Sequence, residues 1–216
     1  MEPKNVVDHI GRASRRSAVL TAVAATAVIS GLVISFVGTR RSAETALELA
    51  GDVAEVEERA QQLEKEQVRR TVAERRLSDG VELASRGRLT EAIALYDQAI
   101  DLNPESANAF QFRGYALLRR AQIRPELKDV DLPAAVASLE RAVELDPNHI
   151  WGRYNLALAY WESGDTDRAV QEVRRVISID PSFRGVISND VQFRRFRAST
   201  EFRDLLARTS SESRSR

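Results

Sequence analysis

The chain has 216 residues, and its 32 Lys and Arg balance its 32 Asp and Glu, so the net charge is close to zero. This balance argues against nucleic-acid binding, which favours a basic excess. The sequence contains no Cys and only two His, which excludes disulfide scaffolds, zinc ribbons and thiol nucleophiles and argues against a metal site. Abundant Ala, Leu, Glu and Arg favour an all-α fold.

The first predicted element is a transmembrane helix over residues 18–38. These 21 residues carry no charge, and as a helix they would span about 30 Å, the thickness of a bilayer hydrocarbon core. Arginine pairs flank the segment at 15–16 and 40–41. The alternatives are a cleaved secretory signal, a twin-arginine export signal and a buried soluble helix. A cleaved signal fits less well, because its apolar region usually spans about 7–15 residues.

The flanking charges predict the orientation of this helix. The N-terminal tail, residues 1–17, carries four Lys and Arg, whereas two Arg and then mostly acidic residues follow the apolar run. The positive-inside rule therefore favours a cytoplasmic N-terminus, with the remainder of the chain outside the cytoplasm. We expect a single-pass protein of the cell (inner) membrane.

Residues 42–72 are predicted to form a helical stalk. Apolar residues follow one another at steps of 4, 3, 4 and 3, namely Leu49, Val53, Val56, Ala60 and Leu63. Two heptads are fewer than the three or four that identify a coiled coil. A short parallel homodimer through stalk and anchor is the alternative, and rows of small residues within 18–38 agree with it.

From about residue 73 the sequence repeats itself. Three stretches end alike, with Asp-Leu-Asn-Pro at 101–104, Glu-Leu-Asp-Pro at 144–147 and Ser-Ile-Asp-Pro at 178–181. Gly87 and Gly164 each stand five residues before an Ala, where each can take the left-handed conformation that ends a helix. Together these residues resemble the tetratricopeptide repeat, a 34-residue helix–turn–helix unit.

The resemblance divides the chain into repeats at 73–106, 107–149 and 150–183. The second repeat has about nine extra residues near 121–129, expected between its two helices. Small residues recur where paired helices approach closely, at Gly80, Gly114 and Ala157 in the first helices and at Ala92, Ala135 and Ala169 in the second. The repeats depart from the family pattern at its aromatic fourth position, where Arg76 and Arg153 stand.

Residues 184–207 are predicted to be capping helices. A D-x-x-F run begins at Asp190 and an F-x-x-L-L run begins at Phe202, as in the tail of many tetratricopeptide proteins. Such a cap covers the last apolar face of a solenoid. Residues 208–216 are expected to be disordered.

No catalytic motif is present in the sequence, neither a Gly-rich phosphate loop nor H-E-x-x-H nor G-x-S-x-G, so we expect a protein that is not an enzyme and needs no cofactor. The resemblance implies a concave peptide-binding groove lined by the first helices. The residues expected to line it are Asn108, Gln111, Tyr115, Leu118, Trp151, Tyr154, Leu158 and Trp161. Large aromatic residues are favoured at binding hot spots. The alternative is that these aromatic residues pack between helices or against the cap.

Chaperone-binding members of the family hold a C-terminal carboxylate with Lys, Arg and Asn side chains. Only Asn155 stands at one of those positions here, so an apolar or extended peptide is the expected ligand. The sequence as a whole predicts a membrane-anchored adaptor that binds a peptide or protein partner, in secretion, folding or envelope assembly. The alternative is a self-associating membrane scaffold without a separate peptide ligand.

Overall fold

The computed structural model describes the backbone of residues 40–203 and the side chains of residues 49–203. The predicted transmembrane helix at 18–38, the basic tail at 1–17 and the tail at 208–216 lie outside the described residues. Within residues 40–203, no helix combines the length and apolarity needed to cross a bilayer. The chain divides into two compact units, Met1–Gln67 and Val68–Arg216.

The described part of the first unit is helical and belongs to α1, which spans Arg40–Ser85. Its Glu, Arg, Gln and Ala are good helix formers, and Glu55 and Arg59 form an ion pair at 2.5 Å one turn apart. The apolar stripe of the predicted stalk lies open on this helix, because Leu49, Val56 and Leu63 are each more than half exposed.

The second unit is built from helix pairs. The end of α1 is followed by α2 (Leu89–Leu102), α3 (Ala107–Ile123), α4 (Lys128–Leu145), α5 (Ile150–Glu162) and α6 (Thr166–Ile179). Consecutive helices from α2 to α6 pack against one another, and α3 also contacts α5. Within residues 40–203 there is no strand, so the described part of the chain is all-α.

A cap segment, residues 183–203, follows the last pair. It comprises α7 (Phe183–Asn189), a 3₁₀ turn (Val191–Phe193), α8 (Arg194–Arg197) and a helical stretch at 200–203. Phe193, Phe196 and Phe202 are completely buried. The cap segment therefore adds its own aromatic side chains to the core of the unit.

Glycines follow the ends of two helices, and polar side chains cap the starts of two others. Gly87 and Gly164 adopt φ values of 77° and 83°, as the left-handed end of a first helix requires. Ser106 and Asp165 begin α3 and α6, and each side chain accepts a hydrogen bond from the backbone N–H three residues on. The glycine spacing in the sequence thus predicted two turns correctly.

The extra residues of the middle pair lengthen its helices instead of forming a long loop. Only Arg124 and the 3₁₀ turn Pro125–Leu127 separate α3 from α4. These helices have 17 and 18 residues, against 13 and 14 in α5 and α6. A bidentate ion pair joins the lengthened ends, with both Arg120–Asp131 contacts at 2.7 Å and the Asp131 side chain buried. Such a pair gives a defined geometry to the extra turns.

Arg153, at the aromatic position of the family pattern, takes part in a buried ion pair. Its guanidinium donates to Glu172 of α6 at 2.7 Å and to the carbonyl oxygen of Pro147 at 2.7 Å. Both charged side chains are buried. The pair holds α5 to α6 and to the preceding turn, where the family pattern would use ring packing.

Close approach between paired helices depends on two glycines. A Cβ atom on Gly80 would lie 2.5 Å from Cε1 of Tyr96. A Cβ atom on Gly114 would lie 2.6 Å from Cγ of Leu139 and 3.1 Å from the carbonyl oxygen of Ala135. All three distances are shorter than van der Waals contact, so a side chain larger than hydrogen forces the helices apart.

We predict that Gly114→Ala destabilises the second unit by about 1–2 kcal/mol, because overpacking outweighs the gain in helix propensity. The matched control is Gly185→Ala in α7, where an added Cβ meets nothing within 4 Å. This control should leave stability unchanged or raise it by up to about 1 kcal/mol. Urea unfolding followed by tryptophan fluorescence measures both, because Trp151 and Trp161 lie in the second unit. Equal stability of the two variants would contradict the packing account.

Candidate functional site

A groove of about 380 Å³ lies between α3, α5 and the cap segment. Its walls carry four aromatic rings, three amide side chains and one carboxylate. The residues that line it are Gln111, Phe112, Tyr115, Trp151, Tyr154, Asn155, Asp190 and Gln192.

The first helices of two neighbouring pairs position the aromatic side chains. Trp151 is 52% exposed, and its ring meets Tyr154 and Phe183 edge-on, with centroids 5.4 Å and 5.1 Å away. Phe112 is stacked on the buried ring of Tyr96 at 5.9 Å. Ring contacts with neighbouring aromatic side chains therefore fix the orientation of Phe112 and Trp151.

Four of the eight residues predicted from the sequence line this groove: Gln111, Tyr115, Trp151 and Tyr154. They come from both first helices, α3 and α5, as the family resemblance implied. Among them Trp151 offers the most open surface, since Tyr154 and Gln111 are largely buried.

Leu118 and Leu158 do not line the groove, which corrects the prediction for both. Each is 1% exposed or less and belongs to the hydrophobic core. The positional rule of the repeat places them on the first helices, but the packing of those helices against their neighbours buries both side chains. They contribute to stability, and neither lines this groove.

The prediction for Trp161 also needs correction, because its ring is stacked on Phe196 of the cap segment with centroids 4.7 Å apart and planes 20° apart. Phe193 of the cap segment packs against Tyr154 with a tilted ring, with centroids 4.9 Å apart and planes 54° apart. The alternative in which aromatic residues pack against the cap therefore holds for Trp161. Only the part of α5 nearer its N-terminus faces the groove.

Asn108, the remaining predicted residue, does not line the groove. Its side chain is exposed and hydrogen-bonded to His149. His149 begins α5, where Nδ1 accepts the N–H of Gly152 at 3.0 Å. Nε2 then carries the proton and donates to Oδ1 of Asn108 at 2.9 Å. This bond links the start of α5 to the start of α3 beside Trp151.

Sequence reasoning missed Phe112, Asp190 and Gln192 as groove residues. The D-x-x-F run, which begins at Asp190, predicted capping helices. In the structure Asp190 begins the 3₁₀ turn of the cap segment, and its Oδ1 accepts the N–H of Gln192 at 2.7 Å. Nothing in that run indicates that the cap turn also forms a wall of the groove. For Phe112 the sequence carries no signal beyond its position on a first helix.

Tyr154 connects the groove to the cap turn. Its hydroxyl donates to Oδ2 of Asp190. Burial, and then the hydrogen bond to this carboxylate, raise the pKa of Tyr154 above its ordinary value. Burial and a hydrogen bond to Glu140 likewise raise the pKa of Tyr160 to about 12. Both hydroxyls are thus held as neutral donors to carboxylates.

A second pocket of about 400 Å³ lies between α3, α4, α5 and α8. Its floor is apolar, with Leu118, Ala121 and Leu132, and charged residues surround it. Among residues 40–203, no group of three or more His, Asp or Glu side chains could hold a metal ion.

Two family models match the helix pairs. The model described as "TPR repeat" matches residues 80–119, and the model described as "Tetratricopeptide repeat" matches residues 127–185. Together with the helix pairs, these matches support the tetratricopeptide-repeat family and identify an all-α fold of that kind in the described part of the chain. The resemblance read from the sequence is confirmed at this level.

Among curated proteins, the PEX5-related protein of Mus musculus is 24% identical over 111 residues. The match covers 51% of this chain and 18% of that protein's length.

Several solved structures are similar to this chain, among them the following three. The first TPR of Spaghetti (RPAP3) bound to an HSP90 peptide has 19% identity and a TM-score of 0.49, covering 65% of this chain and 95% of that one. The Arabidopsis OM64 TPR domain has 16% identity and a TM-score of 0.49, covering 63% and 96%. The crystal structure of MamA has 25% identity and a TM-score of 0.48, covering 66% and 81%. With TM-scores below 0.5, these similarities say nothing about what this chain binds.

Proposed function

We propose that the chain is a non-enzymatic, membrane-anchored adaptor that binds an extended segment of a peptide or protein partner in the groove between α3, α5 and the cap segment. The observation that carries the proposal is the exposed ring of Trp151 at a groove with three further aromatic rings. An exposed tryptophan whose orientation is held by edge-on ring contacts is a typical binding hot spot. The tetratricopeptide family matches support a role in binding proteins.

The buried amides of the groove support an extended ligand. Gln111 and Asn155 are polar residues that are less than 10% exposed, and both line the groove. Amide side chains both donate and accept hydrogen bonds, so they match the alternating N–H and C=O groups of an extended backbone. A compact apolar molecule would leave these amides without partners.

We predict that Trp151→Ala weakens groove binding at least tenfold, the effect of losing an aromatic hot spot. The measurement starts from peptides selected from a random display library on the full-length protein in detergent. Their affinity is then compared between the wild type, Trp151→Ala and the control Val130→Ala. Val130 is 70% exposed on α4 and does not line the groove.

The control variant should bind as the wild type does. Selection of no peptide at all would contradict groove binding. Unchanged affinity of a folded Trp151→Ala variant, shown by an unaltered circular dichroism spectrum, would contradict it equally.

We further propose that residues 18–38 anchor the chain in a cell (inner) membrane with the repeats outside the cytoplasm. The uncharged run of 21 residues and the four-to-two bias of flanking Lys and Arg support this proposal. In that position the adaptor would hold its partner at the membrane surface, for secretion, folding or envelope assembly.

Single cysteines test this topology, because the natural sequence contains none. In intact cells, a membrane-impermeant thiol reagent should label Glu105→Cys, whereas Asn5→Cys should react only after lysis. The opposite pattern would place the repeats in the cytoplasm. Recovery of the protein in the soluble fraction after cell fractionation would contradict the membrane anchor.

The exposed stripe of α1 favours a second candidate function, a self-associating membrane scaffold. Leu49, Val56 and Leu63 leave an apolar face open over two heptads. In a parallel pair of α1 helices these residues would meet their own copies across the seam. Association through so short a seam would depend on the high local concentration that a shared membrane provides.

We predict that Leu63→Cys forms an intermolecular disulfide on mild oxidation in membranes if the scaffold exists. The control is Glu58→Cys, which lies off the stripe on the same helix and is exposed. Equal and low cross-linking of both variants, with a monomeric mass in detergent, would contradict self-association through α1.

A further inference from the structure

We propose that the groove contains a subsite for a cationic side chain, the guanidinium of an arginine or the ammonium of a lysine in the bound segment. This inference rests on the proposed function and names the chemistry of its ligand. It follows from three features that meet in the same 380 Å³, namely aromatic rings, a carboxylate and an unpaired acceptor.

The aromatic rings form the first feature. Tyr115, Trp151 and Tyr154 line the groove with Phe112, and Trp151 is more than half exposed. The face of an aromatic ring attracts a cation, and tryptophan does so most strongly. The edge-on contacts of Tyr154 and Phe183 hold the Trp151 ring in place before a ligand arrives.

The carboxylate of Asp190 is the second feature. It accepts hydrogen bonds from the Tyr154 hydroxyl and from the Gln192 backbone N–H, and both donors are neutral. The nearby cation, Arg197, donates to the carbonyl oxygens of Ile187 and Asp190, at 3.0 Å and 2.5 Å. With these two neutral donors, the carboxylate has acceptor capacity left for a ligand donor.

The third feature is the side chain of Gln192. Its Oε1 atom is buried and accepts no hydrogen bond. A buried acceptor without a donor is costly, and native proteins contain few of them. Rotation of this side chain toward a guanidinium or ammonium beside Asp190 would give the oxygen a donor.

The composition of the groove points to the same ligand. Among the described residues that line it, one is acidic and none is Lys or Arg. The second pocket, by contrast, is lined by Lys128, Glu162 and Arg195. Asp190 would repel a ligand carboxylate, and no described Lys or Arg lines the groove to offset that repulsion, so the groove disfavours acidic side chains and free C-termini.

Capped peptide pools test the inference. Each pool has an acetylated N-terminus, an amidated C-terminus and random neutral residues around one defined central residue. That residue is arginine, citrulline, lysine, norleucine or glutamate. Citrulline and norleucine match arginine and lysine in shape without their charge. Affinity for the full-length protein in detergent is measured by fluorescence polarisation.

We expect the arginine and lysine pools to bind about fivefold or more tightly than their neutral counterparts, and the glutamate pool to bind most weakly. Gln192→Lys should abolish this preference, because the new ammonium lies beside Asp190. The matched control is Val191→Lys, which adds the same charge one residue away. Val191 is 72% exposed and does not line the groove, so this variant should keep the preference.

The outcomes separate the inference from the function on which it rests. Equal binding of the arginine, citrulline and norleucine pools would overturn the cationic subsite and leave peptide binding in place. Tighter binding of the glutamate pool, or equal loss in Gln192→Lys and Val191→Lys, would also overturn it. Failure of every pool to bind would count against groove binding itself.

Discussion

The packing of the cap segment on α5 decides which part of that helix is open to a ligand. Phe193 packs against Tyr154 and Phe196 against Trp161, and the two cap rings are completely buried. Burying a phenylalanine side chain stabilises the fold by about 1.5–3 kcal/mol, so the contact is not easily displaced. It closes one part of α5, and the turn that leads into it brings Asp190 and Gln192 to the groove. The groove therefore exists as a joint product of two repeats and their cap.

The helix pairs beneath the groove depend on close approach and on two ion pairs. Gly114 lets α3 approach α4, and the Arg120–Asp131 pair holds their lengthened ends together. The buried Arg153–Glu172 pair likewise holds α5 against α6. Breaking a buried pair leaves an uncompensated charge, so each pair ties its helices into one register. The positions of Tyr115 and Trp151 follow from that register.

Much of the fold could be predicted from the sequence, because its signals are local. Gly87 and Gly164 marked helix ends through the left-handed backbone that they adopt, and the recurring small residues marked the tight pairs. The groove was harder to predict. Position within a repeat indicates that Leu158 and Trp161 share a helix with Trp151, but it does not indicate which of them the cap will cover. That depends on contacts with residues some 35 positions later, such as Phe196. The Arg153–Glu172 pair likewise joins residues 19 positions apart and had no local signal.

The central claim is that the groove holds a segment of another protein, and photo-cross-linking inside cells tests it most directly. A benzophenone amino acid would replace Tyr115, which lines the groove, and in a second variant Val130, which does not. The account predicts a cross-linked product from position 115 in which mass spectrometry identifies a segment of a different protein, and no such product from position 130. Cross-links from position 115 only to a second copy of this chain, or none above the level at position 130, would contradict it.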